Sequence, residues 1–285
     1  MFIHNIDSVA FHLGPLPVRW YGIAYIAGIL GGWWLGRMRA RRSALNNYPN
    51  LWKPDDVDGL IIYAAVGMVL GARLGYTLFY DFAYYIKEPL SIFRLWEGGM
   101  SFHGGLIGIV LAVLWFAQKT RRNFFQVGDF VAPLVPLGLF AGRVANFING
   151  ELWGSVTSMP WGVVFKGGGD LPRHPSQLYE ATLEGLVLGI ILWIYSAKPR
   201  ADGKVSGLFL MGYGCFRFLV EFVRLPDSQL GYLAFGWLTM GQLLCLPMIA
   251  LGAWWLFGNR KKSTPPISAK LSAAKAKSGP ARKKR

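Results

Sequence analysis

Charge is scarce in this sequence and acid scarcer still: 16% of its 285 residues are charged, and 30 Lys and Arg face only 15 Asp and Glu. Two cysteines and four histidines are its whole supply of soft or imidazole ligands, and no Cys/His cluster occurs. That excludes a disulfide framework and a zinc site. Cys215 and Cys245 both fall inside apolar runs and read as packing residues. A Gly-x-Ser-x-Gly elbow, a His-Glu-x-x-His pair and a Walker-type loop are all missing. An enzyme built on this chain therefore takes its nucleophile from a substrate. The N-terminus lacks a basic n-region and a small-residue cleavage site, so no cleaved signal peptide is expected.

Apolar residues are what the chain has in quantity: 53% hydrophobic, 15% aromatic, and a mean hydropathy of +0.33. That composition places it among integral membrane proteins. The net charge of +15 invites a nucleic-acid reading, but ten of the thirty Lys and Arg lie between Arg260 and Arg285, and without them the excess is +5. No nucleic acid is expected as a partner.

A bilayer is crossed by roughly 20 apolar residues in a helix, and seven such runs occur, at about 19–36, 57–80, 100–118, 124–148, 175–196, 205–224 and 236–257. The expected fold is all-α: a polytopic bundle of seven transmembrane helices over residues 1–258, followed by a disordered basic tail over 259–285. Basic residues fill every second loop: Arg37 to Lys53, Lys119 to Arg122, Lys198 to Lys204, and the tail. The positive-inside rule then sets the N-terminus outside and the C-terminus in the cytoplasm. The outward segments differ in kind. Asp81 to Gly99 is aromatic and suits an interface, whereas residues 149–175 read as a small extracytoplasmic lobe. Glycines four apart at Gly67, Gly71 and Gly75, at Gly104 and Gly108, and at Gly138 and Gly142 suit close helix packing.

Ionisable side chains at membrane depth are costly, so each is a functional candidate set against a structural ion pair. The chain places Arg73 in the second run, His103 opening the third, Arg143 with Asn146 and Asn149 late in the fourth, and Glu180 and Glu184 in the fifth. Asp129 reads as a cap or an interface residue. In the sixth, Tyr213, Arg217, Glu221 and Arg224 form one helical stripe, in which one acid faces two arginines. With Arg143 and Arg73 added, the positive excess asks for an anion, and guanidinium forks fit phosphate. Structural pairing with acids of other helices stays open for any single arginine. His103, flanked by Gly104 and Gly105, suits a general base or a hydrogen-bonded bundle histidine. His174, in Arg173-His174-Pro175, is expected to organise entry to the fifth run. His4 and His12 give no signal. On these residues alone, an enzyme and a transporter of an anionic solute or lipid remain alternatives; an inverted repeat, which would favour the transporter, is not found.

The run Gly142-Arg143-Val144-Ala145-Asn146-Phe147-Ile148-Asn149-Gly150-Glu151-Leu152-Trp153-Gly154 closely resembles the signature of prolipoprotein diacylglyceryl transferases. Trp20-Tyr21-Gly22, Gly98 through Gly105, Arg173 through Glu180, and Gly212 through Arg217 with Glu221 and Arg224 resemble it too. The resemblance implies an enzyme of the bacterial inner membrane that moves a diacylglyceryl group from phosphatidylglycerol to the lipobox cysteine of lipoprotein precursors, releasing glycerol 1-phosphate. No metal or organic cofactor is implied, and a monomer suffices. Carried onto this sequence, the expected catalytic residues are His103, Arg143 and Arg217. Tyr21, Asn146, Asn149, Glu151, Gly154 and Tyr213 are expected to contact substrate beside the arginines, with Glu221, Arg224, Arg73 and His174 in support.

Overall fold

Long apolar runs leave the backbone no water to bond with, so helix is the expected answer, and helix dominates the computed structural model, which describes residues 2–45, 52–226 and 231–258. In chain order the elements are β1 (Phe2–His4), β2 (Val9–Leu13), β3 (Leu16–Arg19), α1 (Trp20–Leu45), α2 (Pro54–Phe79), α3 (Phe82–Lys87), α4 (Phe102–Lys119), α5 (Phe124–Val131), α6 (Val135–Asn149), β4 (Val163–Phe165), α7 (Ser176–Glu180), α8 (Leu188–Tyr195), α9 (Lys204–Val220) and α10 (Met240–Phe257). A π-helical segment, Ala181–Val187, joins α7 to α8.

Each expected span holds helix, with one correction. The fourth is not continuous: α5 and α6 are separated by a turn at Ala132, Pro133 and Leu134, with Pro136 in the first turn of α6. Proline supplies no N–H and clashes with the carbonyl four residues back, so two of them here break the run. Among the described residues three helices, Pro54–Phe79, Ser176–Tyr195 and Met240–Phe257, are long and apolar enough to cross a membrane. A fourth joins them if α4 and α5, bent by 116° to each other, count as one broken span. The protein is helical and polytopic, but the all-α expectation is also corrected by four short strands. Alternating apolar residues on either side of Gly14-Pro15 form the β2–β3 hairpin, and β1 pairs in parallel with β4. The basic tail expected from residue 259 lies outside the described residues.

The chain divides into two units, one drawn from Met1–Leu35 and Gly128–Lys262, the other containing Gly36–Val127. In the second, α2 and α4 touch backbone to backbone. A Cβ built at Gly71 would sit 2.3 Å from the Gly104 carbonyl oxygen, and one at Gly108 would sit 2.0 Å from that of Gly67. The glycines four apart on α2 and α4 are thus a packing seam, whereas a Cβ added at Gly138 or Gly142 would meet nothing within 4 Å, which corrects the same expectation there. Arg73, 4% exposed, donates from Nε to Ile92 O, from Nη1 to the carbonyls of Gly98 and Gly99, and from Nη2 to those of Ser91 and Arg94. Its ring-facing side lies 5.2 Å from the centre of Tyr85. The expectation that Arg73 adds to the positive excess calling for an anion is corrected: five carbonyl dipoles already surround it.

In the first unit, Ala132, Leu188, Leu192 and Val205 make the buried core that ties α8 to α9. Asp129 caps the start of α9, accepting from Gly203 N, Ser206 N and Ser206 Oγ at 2.7 Å each. The lobe between Gly150 and Pro175 is anchored by β1: His4 packs against the rings of Phe147 and Phe165 and is only 5% exposed. A histidine from which the sequence offered no signal is therefore a structural staple.

Replacing Gly71 with Val forces a side chain into a backbone neighbour that cannot yield, a strain of about 1–3 kcal/mol or more. The detergent-solubilised protein is expected to melt several degrees lower, whereas Gly32→Ala, with no atom within 4 Å of the new Cβ, leaves the melting temperature unchanged or raised.

Candidate active site

Three helices of the first unit carry acids and arginines to one place. Arg143 lies in the last two turns of α6, Glu180 ends α7, Arg217 sits in the last turn of α9, and Glu221 follows as its C-cap. Glu180 is the hub, 1% exposed. Its Oε2 meets Arg143 Nε at 2.7 Å, its Oε1 accepts from Arg217 Nη1, and Arg224 Nε stands 3.9 Å from the same oxygen. Glu221 Oε2 pairs with Arg217 Nη2 at 2.9 Å and with Arg224 Nη1 at 3.7 Å, ion-pair contacts without hydrogen-bond alignment. Glu221 Oε1 accepts from Thr239 Oγ1 at 3.1 Å. Thr239 is the N-cap of α10, so the cluster is also tied to the last helix.

Counting charges helix by helix understated the acid. Three arginines face Glu221 and also Glu180, an acid from another helix that the sequence marked as ionisable but to which it gave no part in the site. The signal was present in Arg173-His174-Pro175-Ser176-Gln177-Leu178-Tyr179-Glu180, a motif whose last residue is the hub. Glu184 was passed over likewise. It is fully buried in the π-helical segment, within electrostatic reach of Arg143, Arg217 and Arg224, yet neither carboxylate oxygen has a hydrogen-bond partner among the described residues. π-Helical turns concentrate at functional sites because the extra residue re-aims the side chains that follow.

Arg143 differs from its neighbours in what it leaves open. Its Nε is held by Glu180, while Nη1 and Nη2 have no protein partner among the described residues, and its side chain is 21% exposed. The fork end of the guanidinium is thus presented to whatever enters. Around it, Asn146 Nδ2 donates to Glu151 Oε1 at 2.8 Å, and Asn149 Nδ2 approaches the same oxygen at 3.5 Å. Gln177 Nε2 and Ser176 Oγ bind the carbonyls of Glu151 and Leu152, which fixes the chain where α6 gives way to the lobe. Tyr21, whose hydroxyl is 3.0 Å from that of Tyr25, has Glu151 and Arg143 as electrostatic neighbours. Tyr213, one turn before Arg217 on α9, has Glu184, Arg217 and Arg143 as its own.

Gly154 is a matter of space. A Cβ there would lie 2.3 Å from Val223 O and 2.8 Å from the Cβ of His174. The backbone of the lobe passes directly over the residues that follow Glu221, with Ser155 N donating to Val223 O at 2.9 Å. His174 presents Nδ1 to the Tyr179 hydroxyl at 3.1 Å, and that hydroxyl accepts from Trp161 Nε1 at 2.7 Å. Partial burial lowers the His174 pKa and favours the neutral imidazole beside this hydroxyl. Gly154 and His174 hold the lobe to the helix ends, Gly154 through a β-bridge to Arg224.

His103 and Arg73 belong to the other unit. His103 is exposed in the first turn of α4, one turn of chain after the Gly98-Gly99 pair of positive φ and next to the Ser101 N-cap. Among the described residues no group of three or more His, Cys, Asp or Glu is arranged to hold a metal ion.

The sequence pattern of prolipoprotein diacylglyceryl transferases matches residues 8–258. Proteins named phosphatidylglycerol–prolipoprotein diacylglyceryl transferase share 57% identity in Nitratidesulfovibrio vulgaris strain DP4, over 91% of this chain and 97% of that one. The corresponding protein of Oleidesulfovibrio alaskensis is 59% identical over 86% of this chain and 90% of its own. That of Legionella pneumophila strain Philadelphia 1 is 55% identical over 90% and 98%. With the match running through α1, the arginine cluster and α10 alike, the chain belongs to the prolipoprotein diacylglyceryl transferase family of polytopic membrane enzymes.

Proposed function

We propose that this transferase uses phosphatidylglycerol as donor and the lipobox cysteine of a lipoprotein precursor as acceptor, with Arg143 as the principal grip on the lipid phosphate. The free fork of Arg143 carries the reading. Two parallel N–H donors match two phosphate oxygens, and the third nitrogen, tied to Glu180, fixes the plane in which they lie. Arg217, held between Glu180 and Glu221, adds a second positive charge close by.

In the reaction the cysteine sulfur attacks the C3 carbon of the diacylglyceryl group, a C–S bond forms, and the C–O bond to phosphate breaks with its electron pair left on oxygen. The thiol proton leaves sulfur, and glycerol 1-phosphate departs. Negative charge grows on the leaving oxygen, and fixed arginines in a dry site stabilise that charge more strongly than water does. The thiolate is the nucleophile, and His103 is proposed as the base that receives the proton. Asn146 and Glu151, bonded to each other, and Tyr21 and Tyr213 are placed to hold the headgroup; Asn149 extends that polar rim. Glu180, Glu221 and Arg224 act through Arg143 and Arg217 by holding them in register.

The same reading makes seven spans of α1, α2, α4, α5 with α6, α7 through α8, α9 and α10. The N-terminus and the lobe lie outside and the C-terminus in the cytoplasm, because Lys and Arg gather in the last turns of α1 and in the turns that follow α4 and α8. A monomer contains every residue named.

Mass spectrometry of a lipobox peptide incubated with phosphatidylglycerol and the purified enzyme tests the roles. The wild type is expected to add a diacylglyceryl mass to cysteine, and Arg143→Ala is expected to slow that step by about 100-fold or more, the range seen when a charge-stabilising donor is removed. Retention of full activity by Arg143→Ala would overturn the grip. His103→Gln is expected to lower turnover by about 100-fold through loss of general-base catalysis, and an unchanged rate would move the proton elsewhere.

Glu180→Ala leaves Arg143 and Arg217 without their shared counter-ion in a buried place, a loss of about 3–5 kcal/mol. The expected result is a lowered melting temperature together with lost activity, whereas Glu184→Ala, whose oxygens bond to nothing, removes no hydrogen bond and should melt closer to the wild type.

A further inference from the structure

The donor lipid carries two hydrocarbon chains as well as a phosphate, and one feature beside the arginine cluster has the form of a seat for one of them. Along α6 away from Arg143, the helix meets the π-helical segment and α8 through small residues. A Cβ at Gly185 would lie 2.6 Å from that of Phe140, and one at Gly189 would lie 3.3 Å from that of Pro136. Next to this line of contact runs an open groove of about 380 Å³, lined by Pro133, Pro136, Leu137, Phe140, Ile190 and Trp193 with their apolar neighbours. Prolines and glycines leave the trough, and the larger side chains wall it.

We propose that this groove is the acyl-chain subsite of the donor lipid and that Ile190 and Trp193 set the chain length it accepts. The proposal rests on the reading of Arg143 as the phosphate grip. Arg143 follows Phe140 by three residues and Pro136 by seven, so all three share a face of α6 and the groove begins one turn below the guanidinium. The Arg143–Glu180 ion pair closes the same helix seam at its polar end. From Gly185 to Ile194 the groove follows nine residues, about 14 Å at 1.5 Å per residue. A hydrocarbon core of about 30 Å gives one leaflet's chain about 15 Å. The lengths agree, and a chain whose phosphate is fixed at one end of the seam has this trough along its path.

Because any lipid can touch an apolar face, the test must separate the donor from bulk lipid. Phosphatidylglycerol and phosphatidylcholine, each with a diazirine midway along one acyl chain, are photolysed in separate liposomes holding the full-length enzyme, and labelled peptides are mapped. The peptide carrying Leu186 to Trp193 is expected to take about threefold more label from phosphatidylglycerol, a modest ratio because the chain leaves lipid rather than water. Excess unlabelled phosphatidylglycerol should remove the difference. Equal labelling by the two lipids overturns the subsite. In parallel, Ile190→Trp fills the groove from a lipid-facing position and should shift product chains from a mixed-length donor pool toward shorter ones by about threefold. Trp193→Ala should shift them toward longer ones, and an unaltered length profile in both active variants overturns the role in selection. Arg143→Ala distinguishes the two readings: preferential labelling that survives in it upholds the groove and removes the arginine grip, and loss of both labelling and turnover upholds the two together.

Discussion

Everything at the site depends on placing three guanidinium groups where water is scarce. A charge moved out of water without a partner costs several kcal/mol, so Arg143, Arg217 and Arg224 set the demand and the surrounding helices are arranged to meet it. Glu180 meets most of it, touching all three from the end of α7. Glu221 covers Arg217 and Arg224 and reaches α10 through Thr239. Four helix ends are thereby tied to one another by charge rather than by apolar packing, and the lobe is laid over them by backbone bonds from Gly154 and Ser155. The same arrangement leaves the fork of Arg143 without a protein partner among the described residues, at the end where the proposed phosphate contact is made.

Much of this was legible in the sequence because membrane burial makes each charged residue conspicuous. Arg143, Arg217, Glu221 and Arg224 stand out by cost alone, and helical spacing places Tyr213 and Arg217 on one face of α9, whereas Glu221 caps that helix and Arg224 lies beyond it. What was not legible is pairing across helices. Glu180 sits 37 residues before Arg217, and nothing in local spacing says that the two meet, so the sequence left an excess of charge that the structure largely balances. Arg73 shows the opposite failure. Its isolation among apolar residues marked it as a partner for an anion, yet it is surrounded by carbonyls of the 91–99 segment, acceptors that every sequence has and none displays.

The helices were legible by length, and their interruptions less so. Pro133 and Pro136 were in plain view within the fourth run, but proline is tolerated in membrane helices when neighbours re-satisfy the freed carbonyls, so the break into α5 and α6 is decided by tertiary surroundings. The strands escaped for a related reason. β1 is three residues long and exists because Phe2 to His4 find a partner at Val163 to Phe165, far along the chain. No periodicity can be read from three residues.

The π-helical turn connects these threads. One additional residue per turn between Glu180 and Leu188 lets the fifth helix present both Glu180 to the arginines and, a turn later, Gly185 to Phe140. In a regular α-helix residues five apart lie on different faces, and Gly185 would turn away from the side that carries Glu180. With the i→i+5 turn Glu180 and Gly185 share a side, and Glu184 stays within electrostatic reach of the arginines. The proposed phosphate grip and the proposed acyl-chain groove therefore share one seam and one local distortion. That is a physical reason for a turn type of marginal intrinsic stability to sit at the centre of a lipid transferase.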